Sequence, residues 1–562
     1  MKKRYLDLME KTLSAYTVER ILRYFDDVKR DGLTEHGFPR LTSNIGILIA
    51  NGRRVDLLPL FLEMMEFCCK SIPCLKAAND FSVREIVNCI VEVENSGAVS
   101  SEDIARWKEY IASIEPEKCY DVFATKPTSQ VRNWALFSGV SEYFRQKLVG
   151  CDSSKFIELQ VASQLQWFDE NGMYMDNPEA DVYQPIAYDI VPRALFSMLL
   201  FAGYRGKYYE EVDVILKKAG LLTLNIQSVT GELGFGGRSN QFLHNEAWIA
   251  LIFEYEAARY KREGDISLAC KFKAAAEKAL KSLESWLSKV PISHVKNRFS
   301  VDMKFGCEHY AYFDKYMITV ASFLYESDRF CDESIAVGEF DESAMIWSTS
   351  RHFHKTFVRA GGYSLEFDTN GDPHYDSSGL GRIHKKGAPS AICLSVPFAK
   401  QPHYDITGYE NKSSFSISPA LKSDSGEWLW SSAPETIYTI FESQTNGEKA
   451  NITFECAIGG INKVKFSCLA EEDGIFLEAS SSEKKTVAIS LPVFFFDGEA
   501  YTKISTDGGK IAVEYDGWIC EYESNNISYL NAVYANRNGI YKGYIATGKG
   551  NVNLRIRIHK VQ

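Results

Sequence analysis

Up to about residue 325, apolar side chains return every three or four positions along the chain, and after about residue 340 they return every second one. The first spacing lays one side of a helix on a core, and the second lays one face of a strand on it. Helical spacing is plainest over residues 131–148, 190–201, 246–260, 267–287 and 316–324. Breaks fall at Asp31-Gly32, Glu115-Pro116, Asn171-Gly172, Asn177-Pro178, Gly231 to Gly237 and Pro291. That pattern predicts roughly a dozen helices in antiparallel pairs, and no exact repeat recurs, which favours a closed or nearly closed ring over an open superhelix. Alternation marks strands at 436–441, 450–457, 464–469, 487–496 and 552–558, separated by Asp473-Gly474, Asp507-Gly508-Gly509 and Asn538-Gly539. The expected architecture is a multidomain α and β chain: an (α/α) toroid over 1–330, a linker over 331–345 and an antiparallel β-sandwich over 346–562. The polar, acidic stretch 328–343 reads as a hinge.

Composition narrows the function classes. With 562 residues and a formal charge of −11, the chain lacks the basic excess of a nucleic-acid binder, although local cations can still receive an anionic ligand. Thirteen cysteines form no regular framework and no CxxC pair, which suits buried thiols in a reducing compartment. The start Met1-Lys2-Lys3-Arg4-Tyr5-Leu6-Asp7 turns acidic before an apolar core forms, and the apolar run 194–202 is too short to span a bilayer, so a cytoplasmic protein without a membrane partner is expected. Thirty tyrosines fit sugar recognition, since rings stack on pyranose faces while hydroxyls hydrogen-bond; they also fit cores and sandwiches.

Candidate chemistry gathers in a few polar segments. Arg132-Asn133-Trp134 opens a long helix, where Asn either caps the helix or offers an amide to a carboxylate. The stretch 167–189, with Asp176, Tyr183, Tyr188 and Asp189, mixes acids, amides and tyrosines that are costly to bury, so it reads as solvated or ligand-facing. The densest segment runs from Gly231 through Arg238, Ser239, Asn240, Gln241, His244, Asn245 and Glu246; its glycines permit positive φ, and Asn240 and His244 would share a helix face. A fourth, Glu308-His309-Tyr310-Ala311-Tyr312, begins a late helix. In the β half, His374 with Tyr375 and Asp376, and Arg382, sit where they could lean over the cleft. His352 and His354 would share a strand face but have no carboxylate or Cys beside them in sequence, so no metal is expected.

Helical toroid followed by β-sandwich resembles the uronate lyases of the heparinase II/III and chondroitin AC/hyaluronate lyase types. The resemblance spans essentially the whole chain, with Asn133 and Tyr188 at about the family's Asn-to-Tyr separation and Gly236-Gly237-Arg238-Ser239-Asn240-Gln241 similar to an Arg-bearing loop of the second type. The twin Asn-His segment of some alginate lyases and the His-Ala-His-x-Asp strand of heparinases are absent, and His374-Tyr375-Asp376 is at most a remnant of the latter. The resemblance implies β-elimination at a uronic-acid-containing oligosaccharide. The C5 proton beside the carboxylate is removed, oxygen leaves from C4, and charge gathers on the carboxylate, where donors must already wait. Asn133, Arg238 and His244 would supply them. Tyr188, its pKa lowered by nearby cations, would be base or acid, with His244 the alternative base and Tyr310 or His309 the second proton carrier. Asn240, Gln241, Asn245, Glu246, Trp134, Tyr183, His309, Tyr312, His374 and Arg382 would bind substrate, and no cofactor is required. Imported oligosaccharides suit such an enzyme, and rhamnose–glucuronate cleavage is one specific case.

Two other classes compete. A glycoside hydrolase of the unsaturated glucuronyl hydrolase type also uses a helical toroid and would need two facing carboxylates from Asp176, Asp189, Glu246 and Glu308. A carbohydrate-binding protein without chemistry would use the same loops as a recognition surface.

Overall fold

A computed structural model describes residues 2–74, 79–120, 133–177, 180–459 and 462–561. Val131, Arg132 and Pro178 lie outside the described residues. The predicted helices extend to Asn133–Val149, Ile186–Phe201, His244–Glu263, Ile266–Leu287 and Phe313–Phe330.

Six helices form an inner ring: Gly37–Ala50, Asn79–Ser96, Asn133–Val149, Ile186–Phe201, His244–Glu263 and Phe313–Phe330. Each packs on the next, and the last closes on the first. Inner helices are buried on nearly all sides, as in Ile186–Phe201. An outer helix such as Val18–Asp31 buries only the stripe Ile21, Phe25 and Val28. The ring's interior also holds charge. Arg84 bonds Glu326 at 2.8 Å and meets Glu85, and Arg40 bonds Glu85 at 3.1 Å, joining the first, second and sixth inner helices. Such pairs are expensive to break singly because the partner stays buried and charged.

The β half is a two-layer arrangement of three antiparallel sheets. An eight-stranded sheet forms one layer, and its strand Asn462–Glu471 alternates buried and exposed positions, so one face is covered and one is wet. A four-stranded sheet (Met345–Ser348, Lys355–Ala360, Tyr363–Asp368, Gly379–Lys385) and a five-stranded sheet cover it side by side. The middle strands of the four-stranded sheet are buried on both faces, because the helical half lies over the second one; Phe353 and Phe357 belong to the helical core.

Two expectations change here. His352 and His354 sit in the turn before Lys355–Ala360, not on a strand; Asp181 faces the first and Asp368 the second at 2.6 Å. The stretch read as a hinge is not free: residues 328–330 finish the last helix, and beyond it Gly338 donates to Cys270 O at 3.1 Å. Among the described residues, no helix is long and apolar enough to cross a membrane.

Inner packing leaves no room at Gly46, where an added Cβ would stand 2.4 Å from Cys89 Sγ and 2.5 Å from Phe61. Gly46→Ala is therefore expected to lower unfolding stability by about 1–3 kcal/mol in urea titration, the usual cost of overpacking. An unchanged midpoint would show that these walls can move apart.

Candidate active site

All six inner helices point their N-termini at one end of the ring, and a cavity of about 400 Å³ opens there. Its lining comes from those first turns: His36 and Arg40, Phe81, Asn133 with Trp134 and Phe137, Tyr188, Trp248, and Lys315 with Tyr316. Helix N-termini carry partial positive charge and unpaired N–H groups, so six aimed at one space favour an anion.

One wall is a hydrogen-bonded chain built around Ser239. Its Oγ lies 3.1 Å from the hydroxyls of both Tyr188 and Tyr310, and Tyr316 lines the same cavity. Its N–H donates to Glu308 at 2.6 Å, and Glu308 is gripped through both oxygens by Arg537 at 3.0 and 2.7 Å. Beside this, the Arg238 guanidinium lies 4.5 Å above the Tyr188 ring and pairs with Asp176, whose other oxygen accepts from Asn133 Nδ2 at 2.8 Å. Burial pushes the Tyr310 and Tyr316 hydroxyls well above the ordinary phenol range, with Tyr188 adding to both. At both, desolvation of the phenolate dominates.

The loop that delivers Arg238 and Ser239 has φ +71° at Gly237, +56° at Ser239 and +64° at Gln241. A Cβ at Gly237 would meet Pro185 at 2.8 Å, and one at Gly236 would meet Lys355. Non-glycine residues at positive φ store strain, which the surrounding bonds must hold. They come from the four-stranded sheet and the loop before its last strand: Phe235 N donates to Glu366 at 2.9 Å, Gly237 N to Asp376 at 2.9 Å, and Arg382 donates to Leu233 O at 2.6 Å.

The opposite wall was not singled out in the sequence. Arg40 donates to Glu85 at 3.1 Å and Thr319 at 2.8 Å; His36 lies 4.7 Å from Phe81 with a buried Nδ1 lacking a partner. Lys315 makes no salt bridge among the described residues. Burial lowers His36 and Lys315 from their usual values, so His36 is neutral. The signal in the chain was Glu35-His36-Gly37-Phe38-Pro39, a polar pair ahead of a proline-bearing helix start.

Of the residues nominated from sequence, Asn133, Trp134, Tyr188, Arg238 and Tyr310 line the cavity. Others require correction in placement. His244 does not line it; the ring is buried against Phe242, Trp248 and Tyr316 with both nitrogens unpartnered, and burial holds it neutral. The helix starts at His244, so Asn240 precedes it and shares no helix face with it. Asn240, Gln241 and Asn245 are buried and bond Gly234 O, Asn240 Oδ1 and Ser239 O. Glu246 is paired with Lys296 at 2.7 Å, and Arg382 is buried under the glycine loop. These five brace the loop instead of facing ligand. His309 and Tyr312 are exposed. Tyr183 reaches Asn370, and His374 stacks on His403 at 3.8 Å.

No protein-family model matches the chain, and no curated protein matches it in sequence. Among solved structures, it is similar to a Streptomyces coelicolor chondroitin AC lyase in complex with chondroitin sulphate (10% identity, TM-score 0.49, covering 100% of this chain and 80% of that one). It is also similar to a mutant heparan sulfate lyase from Pedobacter heparinus (8%, 0.48, 94% and 76%). A glycosyl hydrolase of family 88 from Bacteroides vulgatus matches at 12% identity and TM-score 0.38, over 59% of this chain and 99% of that one. What the site does is read from its own residues.

The brace under the loop should respond to pH. Burial lifts Glu366 from 4.5 to about 7, against the pull of Arg382 and Lys355. A carboxyl raised in the folded state stabilises below its unfolded value near 4.5, and that contribution is lost as pH rises through about 7. Glu366→Gln should therefore gain stability relative to the parent between pH 5 and 8 in urea titration. A constant difference across that range would mean the carboxyl does not titrate there.

Proposed function

We propose that the chain is a carbon–oxygen lyase that cleaves a uronic-acid-containing oligosaccharide by β-elimination. One observation carries this reading: a single cavity joins the Tyr188 hydroxyl, the Arg238 guanidinium and the Asn133 amide at the confluence of six helix N-termini. Removing the C5 proton of a uronate sends negative charge into its carboxylate, so a site rich in fixed donors lowers that barrier. Arg238 and Asn133 bind the carboxylate, and the helix ends supply positive potential at no reorganisation cost. The Tyr188 hydroxyl meets that of Ser239, and Ser239 leads on to Tyr310. That chain gives the C5 proton a way out and returns a proton to the O4 leaving group. The cavity volume falls in the range of small-ligand sites, roughly 300–1,000 Å³, so it holds a short stretch of sugar, with the half-exposed Trp134 in its lining.

Hydrolysis needs two carboxylates facing each other. Asp176, Asp189, Glu246 and Glu308 are each paired with a cation: Arg238, Arg193, Lys296 and Arg537. Among the described residues, Glu35 is the one carboxylate lining the cavity, and it bonds Tyr24 and Gly37 N. This favours elimination over hydrolysis.

The test follows ultraviolet absorbance of the 4,5-unsaturated product with rhamnose–glucuronate, heparin, chondroitin and alginate oligosaccharides. Absorbance should rise with at least one, and Tyr188→Phe should lower kcat by ~10²–10⁴, the usual worth of a proton-transfer group. Full activity in Tyr188→Phe would remove that residue from the mechanism. New reducing ends without absorbance would make the protein a hydrolase, and saturable binding without product would make it a binding protein.

A further inference from the structure

A second cavity, of about 420 Å³, lies where the C-terminal half of the helix Ile266–Leu287 meets the β half. Lys278, Lys281, Lys289 and Lys386 border it, together with the rings of Trp286 and Trp518. On a chain of formal charge −11, four lysines around one hollow make it locally basic. The carboxylates in the lining compensate little: Glu232 is buried against Lys296 at 3.0 Å, which leaves Asp516. Lys386 meets Glu342 at 2.8 Å and Lys281 meets Glu277 at 3.4 Å, both near the surface.

The other two lysines lack good counter-ions. Lys278 Nζ is buried without a hydrogen bond, 3.2 Å from the centroid of the Phe340 ring, with Glu342 at 3.7 Å. Lys289 Nζ stands 3.8 Å over the Trp286 ring and makes no salt bridge among the described residues. Burial pushes Lys278 down to about 7 and lowers Lys289 as well, the response of cations that a bound anion would restore. A cluster of lysines on a convex surface is ordinarily just solvated. Here they surround a concavity, and one ammonium is already dry.

The tryptophans specify more than an anion. Indole faces stack on sugar rings, and a free phosphate or sulfate has no use for them. We propose that this cavity binds an acidic sugar residue, its carboxylate or sulfate on the lysines and its ring face on Trp286 or Trp518, as a glycan site separate from the catalytic cavity. The loop connecting the two supports the pairing. Val229, Thr230 and Glu232 line the second cavity, and six residues after Glu232 the same loop places Arg238 in the first. The inference goes beyond the lyase reading and is tested by binding, so it survives if no cleavage is found.

The experiment is calorimetric titration of the full chain carrying Tyr188→Phe with hexasaccharides from heparin, chondroitin sulfate, hyaluronan and polygalacturonate at low salt. At least one should bind, and Lys289→Ala/Lys386→Ala should weaken a binding event at least tenfold while Arg238→Ala leaves that event in place. Trp518→Ala should weaken the same event with the melting temperature held, and inorganic phosphate at matched ionic strength should not displace the sugar. Binding of every probe unchanged in the lysine variant, or no binding of any probe to the parent, overturns the proposal. Displacement by phosphate, or no effect of both Trp518→Ala and Trp286→Ala, would make the cavity a simple anion site and overturn the sugar assignment.

Discussion

The cavity depends on seven residues, Gly231 to Gly237, lying against a charged sheet face. Four of their backbone groups are held by charged side chains: Leu233 N by Glu246, Leu233 O by Arg382, Phe235 N by Glu366 and Gly237 N by Asp376. Phe235 is sandwiched between cations, with Lys355 3.9 Å from its ring centroid and Arg382 at 5.6 Å. Lys355 in turn is paired with Asp368 and lies 3.6 Å from Asp376. Buried ions of this kind are costly to strip of their partners. Because the partners come from both halves of the chain, neither half satisfies the set alone. The position of Arg238, one residue past the loop, is therefore set by the β half although Arg238 belongs to the helical half.

A second tether acts on the same spot from another direction. Arg537, in the turn between the strands Ile527–Asn536 and Gly539–Lys549, grips Glu308, and Glu308 receives the Ser239 N–H. Asn538 meanwhile bonds Gln241 Oε1 and Lys296 O. The strained residues Ser239 and Gln241 are thus each held by the β half, directly or through one intermediary. Preorganisation of this kind is what charge stabilisation in a transition state requires, because donors that must reorient give back what they contribute. It also assigns the sandwich a task other than reaching over the cleft with His374 or Arg382.

Period and punctuation made the architecture legible. Four of the six inner helices were found because helical spacing survives even where burial is nearly complete, while Gly37–Ala50 and Asn79–Ser96 were not singled out; strands were found because their faces differ in exposure, as in Asn462–Glu471. The site was legible only in part, for a physical reason. A dense polar segment announces that many hydrogen bonds must be made, but not whether a ligand or the protein makes them. In 231–246 the protein makes most of them: Asn240, Gln241, Asn245 and Glu246 are consumed in bracing the loop itself. Ring closure is long-range, so nothing in the sequence joined His36 and Arg40 to the distant Lys315. Arg537 was hidden likewise, since nothing in Asn536-Arg537-Asn538-Gly539 beyond a turn marks its partner 229 residues earlier.

Asp176 poses the sharpest electrostatic question, because it occupies donors that the elimination reading assigns to substrate. If it cancelled Arg238, the carboxylate of a uronate would find no cation on that wall. The hydrogen-bond inventory argues otherwise. Among the described residues, Arg238 meets Asp176 through Nη2 alone, and a guanidinium has five N–H donors. Asn133 likewise gives Asp176 one contact from a two-donor amide. Asp176 is thus placed to aim both groups, fixing the guanidinium over Tyr188 while leaving Nε and Nη1 for a ligand. The pair it forms with Arg238 is neutral as a unit, so the positive potential of the cavity has to come from the far wall and from the helix ends. In the elimination reading Lys315, which makes no salt bridge among the described residues, adds positive charge from that wall against the one lining carboxylate, Glu35, while Arg238 supplies the geometry.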